Sequence, residues 1–423
     1  MKNSPATPSD IRENGLKETS DSFEIFGELA YTLLYWVSEL HRKLVERGVQ
    51  QVYFLSREGQ PLKKMFDSYC LVSGSLIQSR YLEVSRRATL LPSLDALSSE
   101  KFTTLFRQYR CMSLLEFLSS IGLEENITEL LDALAISAKE SEQRIDNFPE
   151  SQLFLKLKNS PKFNSIFDEQ RELRRSTFWK YLSSLSDNNV PEELVVVDVG
   201  WKGTIQDNLF ALLTKEPASS VKKVTGYYIG LVAPGGASSM NVKHGLLFSA
   251  VEGRSPRFHV FNENRALFEI ILAADHGSAA SYQIDADGKA YVVHDAFHEQ
   301  HMLESQVFPV QRHIFDRFNR LKARNFDLHD IARNHARLVF QPTQNELNWF
   351  SSVFHVENYG VFERSSFAST FESPRLSDRL KFLVAVLQRK GRGLLGFWPW
   401  KMLNERVGRP IANLYGLIRY LQK

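Results

Sequence analysis

Short apolar runs alternate along this chain with longer stretches in which apolar residues recur at helical spacing. Val52–Leu55, Tyr81–Val84, Leu194–Val197 and Val224–Val232 have the length and branching of strands buried on both faces. Ahead of the first, Phe26, Leu29, Leu33, Leu34, Val37, Leu40 and Leu44 trace one helix face, with Ser22 as its cap and Gly48 as its end. A helix from about Leu62 to Tyr69 follows the first run. Another opens at Thr204 and carries Ile205, Leu209, Leu212 and Leu213. Repeated strand–loop–helix units predict an α/β protein with a Rossmann-like parallel sheet. Residues 237–260 read as loop with a short strand candidate, Gly245–Phe248. Asn264–Ala274 reads as a helix, and Ser281–Ile284 and Ala290–Val293 flank Asp287-Gly288 as a hairpin.

From about Asp95 to Asn189 the strand signal disappears. Leu114–Leu118, Ile127–Leu134, Gln152–Leu157 and a longer stretch around Phe167–Leu185 read as amphipathic helices, with Arg171, Arg174, Arg175 and Lys180 on a solvated face. From Gln300 the pattern is helical again. The expected organisation is a disordered tail (1–21), an α/β core (22–94 and 190–299), a helical insertion capping it (95–189), a helical C-terminal region (300–387) and a basic aromatic tail (388–423).

In that tail Arg389, Lys390, Arg392, Lys401, Arg406, Arg409, Arg419 and Lys423 face a single acid, Glu405, among Phe397, Trp398, Trp400, Tyr415 and Tyr420. That mixture suits peripheral contact with an anionic membrane surface or packing on the main domain. No stacking motif supports nucleic acid. The whole-chain charge of +3 implies no particular partner. Two cysteines, Cys70 and Cys111, speak against a disulfide framework or zinc site, and a reducing cytoplasm fits them. There is no signal peptide and no apolar run of membrane-spanning length.

The chemistry concentrates where strands end. Asp198 closes the third run, Gly200, Trp201, Lys202 and Gly203 turn, and Thr204 opens a helix. Free N–H groups at a helix start, a close-approach glycine and a lysine make an anion cradle. Asp198 suits sugar hydroxyls or a metal ion beside the anion. The first run leads likewise into Ser56, Arg57, Glu58 and Gly59, which offer hydroxyl, guanidinium and backbone donors. Arg86 and Arg87 follow the second run and suit bidentate phosphate binding, or begin a solvated loop. Glu269, mid-helix among apolar residues, is either paired or site-facing; His276, beside Ser278 at a helix end, is a cap or a catalytic group. The P-loop, dinucleotide fingerprint, nucleophile elbow and metal-ligand spacings are absent.

The stretch Val195–Thr204 resembles the PRPP loop of type I phosphoribosyltransferases: an apolar strand, an acid at Asp198, a short loop, then Gly203-Thr204 opening a helix. Val52–Leu62 (VYFLSREGQPL) is similar to that family's pyrophosphate loop, and the two occur in the family's order. Val197 stands where the family has a first acid, and Glu58 where it has a first loop glycine. FLSREG, Ser85-Arg86-Arg87, DVGWKGTIQ and Glu269…His276-Gly277-Ser278 resemble proteins of bacterial polysaccharide gene clusters, relatives of which are often associated with haloacid-dehalogenase-type phosphatases. Some of that group are glycan phosphoribosyltransferases.

The resemblance implies a phosphoribosyltransferase-type fold and transfer of 5-phosphoribosyl from PRPP to a sugar hydroxyl of a surface glycan, such as an O-antigen or capsule. Pyrophosphate is released, and a partner phosphatase leaves a ribofuranose. It implies Lys202, Gly203 and Thr204 on the 5-phosphate and Asp198 on the ribose. Ser56, Arg57, Gly59 and Arg86 or Arg87 would hold pyrophosphate, with Mg²⁺ held mainly by ligand and water. Glu58, Glu269 and His276 are the candidate general bases. A lipid-linked acceptor at the inner face of the cytoplasmic membrane is implied as well. Two alternatives stand beside this reading: a haloacid-dehalogenase-type sugar-phosphate phosphatase using Asp198, and a non-catalytic polysaccharide-assembly protein.

Overall fold

The computed structural model describes residues 23–107, 109–251, 253–358, 362–367, 376–387 and 395–422. The expected tail at 1–21, the cap Ser22 and residues 388–394 lie outside the described residues. The chain runs through α1 (Leu29–Glu46), β1 (Gln51–Leu55), α2 (Gly59–Ser73), β2 (Gln78–Leu82) and α3 (Arg86–Ser93). Short helices at Thr103–Phe106, Leu114–Ser120, Ile127–Leu134, Ala138–Glu142 and Gln152–Lys158 lead to the long α4 (Pro161–Leu185). Then come β3 (Glu193–Asp198), α5 (Thr204–Lys215), β4 (Lys223–Leu231), β5 (Asn241–Ser249), α6 (Arg265–Ile271) and the hairpin β6 (Ala279–Ile284) and β7 (Ala290–His294). The C-terminal third holds α7 (Phe308–Leu321), α8 (Leu328–Phe340), α9 (Gln344–Ser352), a second hairpin of β8 (Phe354–Asn358) and β9 (Phe362–Ser366), α10 (Leu376–Leu387), α11 (Pro399–Val407) and α12 (Arg409–Leu421).

The first five strands form one parallel sheet in the order β2-β1-β3-β4-β5. The apolar runs do not alternate because both faces are covered. Val52 and Phe54 of β1 join Val195, Val197, Tyr227 and Ile229 under α1, α2, α7 and α8. Tyr53 and Leu55 join Leu194 and Val196 under α4 and α5. The layered α/β architecture with helical additions therefore matches the expectation. β1 has its chain neighbours on opposite sides, so the strand order reverses between β1 and β3, and ligands favour the carboxyl end of such a point.

Several expectations shift. The second strand lies at Gln78–Leu82, earlier than Tyr81–Val84, because Glu83 and Val84 already turn toward the loop. Residues 241–249 form a full central-sheet neighbour of β4. Parallel neighbours usually need a helical crossover. Here the return, 232–240, is a non-helical loop with a turn at Pro234–Ala237, and its Gly236 N–H donates to Asp207 at the start of α5. The last third is not wholly helical, since 354–366 forms a hairpin. Arg171 and Arg175 are buried rather than solvated: Arg175 donates to the carbonyls of Pro92 and Leu94, and Arg174 to that of Gly122. Trp398 and Trp400 of the basic tail are also buried. The Trp398 indole donates to Val339 O, and Glu263 accepts from the Trp400 N–H and the Tyr415 hydroxyl. Among the described residues no helix is long and apolar enough to cross a membrane.

Residues 90–167 pack on a second core around Phe102, Phe106, Phe117, Phe148 and Phe154. Phe117 is fully buried and meets four of those rings at centroid separations of 5.2 to 5.9 Å. Phe117→Ala leaves a cavity that rigid neighbours cannot close, and is expected to cost about 3–5 kcal/mol, read as a lower urea midpoint.

Candidate functional site

The loops after β1 and β3 meet where the strand order reverses. α2 begins at Gly59 and α5 at Thr204, and neither helix has a side-chain cap. At α5 the first-turn N–H groups and the positive dipole end remain available to an anion, whereas at α2 the Gln60 N–H donates to Arg57 O and Pro61 has none, which leaves the Gly59 N–H and the dipole. By contrast α3 is closed by Ser85, which accepts from the Ala88 N–H and donates to Ala279 O. Gly59 brings α2 against β1: a Cβ there would lie 2.8 Å from the Phe54 carbonyl carbon.

The loop after β3 is shaped by two glycines. Gly200 has φ +144° and would place a Cβ 2.4 Å from Gly230 O; Gly203 has φ +66° and would meet the Tyr228 hydroxyl at 2.6 Å. No side chain fits either position. The peptide bonds Ser56–Arg57 and Gly200–Trp201 are both cis. Beneath the loop, the buried Lys243 ammonium donates to Lys202 O at 2.9 Å and pairs with Asp207 at 2.7 Å. Asp207 also accepts from Asn241 and the Gly236 N–H. Gln206 accepts from the Tyr228 hydroxyl and donates to Asn241 Oδ1 and Val242 O. These groups lock the loop to β4 and β5. Sequence reasoning missed Gln206, Asp207, Asn241 and Lys243; the available signal was polar residues at strand and first-turn positions otherwise expected to be apolar.

Asp198 is the centre of the arrangement. It is 6% exposed, and its Oδ1 accepts from the Val199 N–H at 2.7 Å. Burial, then the charge of Glu58, pushes its carboxyl up to about 8, with Glu269 adding to this and the Val199 N–H and Arg86 opposing it. Glu58, Arg86 and Glu269 thus all lie within electrostatic reach of Asp198. The Glu58 carboxylate has no hydrogen-bond or ion-pair partner among the described residues, whereas Glu269 accepts from the Trp201 indole at 2.7 Å. The Arg265 guanidinium lies over that indole, 5.5 Å from the ring centroid.

Other expected residues are committed elsewhere. The buried Ser56 hydroxyl donates to Val84 O and accepts from the Val84 N–H, so it joins the ends of β1 and β2. Arg57 pairs with the buried Glu299. Arg87 bridges Asp295, at 2.6 Å, and Glu124 of the helical insertion. The Lys202 side chain is exposed at the rim, with Thr204 as the first residue of α5. His276 stands apart from Asp198, in a group with Tyr81, Glu83 and His294. A depression of about 610 Å³ lined by Trp179, Lys180 and Asp287–Ala290 lies beside Asn188, on the side where β3 begins, and holds none of these residues.

No model of a known protein family matches the chain, and no curated protein resembles it at a significant level.

The Asp198 environment has a consequence for stability. Its carboxyl titrates near 3.8 when solvated and near 8 when folded, so the folded state holds the extra proton between those values. Raising the pH through that window removes stability. Asp198→Asn keeps an oxygen for the Val199 N–H without the charge. It is expected to stabilise the protein by on the order of 5 kcal/mol at pH 8, with the gain vanishing toward pH 4. Thermal melting across that range measures it.

Proposed function

We propose that the protein is a PRPP-dependent phosphoribosyltransferase that adds 5-phosphoribosyl to a sugar hydroxyl of a bacterial surface glycan. The observation that carries the reading is the juxtaposition, at the reversal of strand order, of two uncapped helix starts with a buried acid between them. Two separated anion sites suit a donor with phosphate at one end and pyrophosphate at the other. The acid between them suits the sugar.

On this reading the N–H groups of Gly203 and Thr204 hold the 5-phosphate, with Lys202 at the rim. The start of α2, with Arg57 and Arg86, takes the pyrophosphate, and Arg57 exchanges Glu299 for the ligand. Asp198 supplies an oxygen donor of the kind that would hold Mg²⁺, alongside ligand and water oxygens. That ion, when bound, neutralises charge on the departing pyrophosphate. The bond from C1 to the pyrophosphate oxygen breaks, a bond from C1 to the acceptor oxygen forms, and the acceptor proton passes to Glu58. Asp198, ionised once a cation is near, stabilises positive charge developing on the sugar. Glu269 holds Trp201 and thereby the loop. The exposed row Ile411, Leu414, Leu417, Ile418 and Leu421 on α12, beside Arg409, supports peripheral contact with a lipid surface on the cytoplasmic side, where a lipid-linked acceptor is presented.

Calorimetric titration with PRPP and Mg²⁺, against ribose 5-phosphate and nucleoside diphosphate sugars, tests the donor. Saturable PRPP binding is expected, weakened at least about tenfold by Arg86→Ala, the loss of one charge-assisted contact. Asp198→Asn is expected to fold and to lose transfer by about 100-fold or more. No PRPP binding sinks the proposal, and phosphate release without acceptor transfers it to the phosphatase.

A further inference from the structure

Glu83, His276 and His294 come from three separate segments: the loop after β2, the turn after α6, and the end of β7. Their ligand atoms nonetheless lie within 4.8 Å of one another. Glu83 Oε2 is 2.6 Å from His294 Nε2 and 3.9 Å from His276 Nε2. Those separations bracket the edge of a tetrahedral site with metal–ligand bonds of about 2.1 Å. From this geometry we propose that the three side chains form a binding site for a divalent transition-metal ion of the Zn²⁺ type.

The ligands are held in place before any ion arrives. The Glu83 N–H donates to the Tyr181 hydroxyl, and Glu83 O accepts from the Tyr282 hydroxyl, so two stacked tyrosines clamp its backbone. His276 Nδ1 lies 2.7 Å from Gly277 O, which makes Nδ1 the protonated nitrogen and leaves Nε2 a lone pair. A carbonyl on the far ring nitrogen is the usual support of a metal-binding imidazole. His294 is brought opposite by the hairpin: Ala279 pairs with His294, and Asp295 N–H donates to Ser278 O. Gly277 permits this approach, since a Cβ there would lie 2.3 Å from Asp295 O. Glu83 and His276 are half-buried and His294 exposed, so an ion can enter from solvent.

The donor set decides the class of ion. Two imidazoles and one carboxylate favour Zn²⁺, Co²⁺ or their neighbours over Mg²⁺, which prefers all-oxygen surroundings. Three protein ligands leave a position for water. The Tyr81 hydroxyl, 2.8 Å from His276 Nε2, stands next to it; occupation of that lone pair frees the hydroxyl toward Arg57 O, 3.5 Å away. The ion would thus tie the β6–β7 hairpin to the edge of the sheet beside the loop after β1. This inference stands whether or not the donor is PRPP.

The test uses the full chain, stripped with chelator and then titrated with Co²⁺ and, in competition with a chromophoric chelator, with Zn²⁺. One ion per chain is expected, with a visible d–d band of low-coordinate Co²⁺ that Zn²⁺ bleaches and excess Mg²⁺ does not. His276→Ala, His294→Ala and the isosteric Glu83→Gln are each expected to weaken binding beyond the roughly 10–100-fold that loss of an outer support costs. Circular dichroism shows that each variant is folded. A folded, stripped protein that takes up neither ion stoichiometrically overturns the proposal, as does binding that survives intact in the His276→Ala/His294→Ala double variant.

Discussion

A parallel sheet covered on both faces leaves its polar chemistry one place to go. Val52 through Leu55 and Leu194 through Val197 are enclosed from either side, so neither strand can present a functional side chain from its middle. The ends are different: there the backbone leaves the ladder, helix starts expose N–H groups, and carboxylates can reach solvent or ligand. Since β1 and β3 are neighbours running the same way, Ser56–Gly59 and Asp198–Thr204 emerge side by side. The groups on Ser56–Gly59 and Asp198–Thr204 follow from that constraint, as does Glu83, which leaves the sheet one strand further along; Glu269, His276 and His294 come instead from α6, the turn after it and the β6–β7 hairpin.

Position alone would leave the β3 loop free to collapse onto its own helix. The Lys243 ammonium opposes this by spanning Lys202 O and Asp207, the latter held in turn by Asn241 and the Gly236 N–H. Burying a lysine costs several kcal/mol unless its charge and donors are matched. Here a carboxylate and a carbonyl provide that match, though burial still pulls the ammonium below its ordinary value. The ion pair therefore contributes shape more than stability.

The sequence displayed the strands because doubly buried β residues form unbroken apolar runs, and it displayed the two loops because glycine and charge follow those runs abruptly. It hid what depends on distant pairing. Arg174 and Arg175 have the composition of a solvated helix face, yet their partners are main-chain carbonyls at Gly122, Pro92 and Leu94, which no side-chain pattern records. Trp398 and Trp400 among basic residues have the composition of a membrane interface, but Val339 O and Glu263 draw them inward. Ser56 was legible as a donor after a strand; its commitment to Val84 was not, because β2 ends earlier than its apolar residues suggest. His276 was visible alone, whereas its neighbours Glu83 and His294 join it only once the hairpin closes.

The electrostatics of the cleft constrain any ligand independently of family resemblance. Helix starts and arginines at the rim favour anions, while Glu58 and Glu269, whose charges already hold the proton on Asp198, oppose a bare anion near the centre. A simple phosphate would satisfy the rim and suffer at the centre. A ligand that carries negative charge at its ends and develops positive charge between them satisfies both, and so does one that brings its own cation. Glycosyl transfer from a sugar with two phosphate-bearing ends has that distribution, because the bond that breaks leaves positive charge on the ring. On the proposed reading, burial keeps Asp198 neutral in the free protein, and its charge would appear only when positive charge develops beside it.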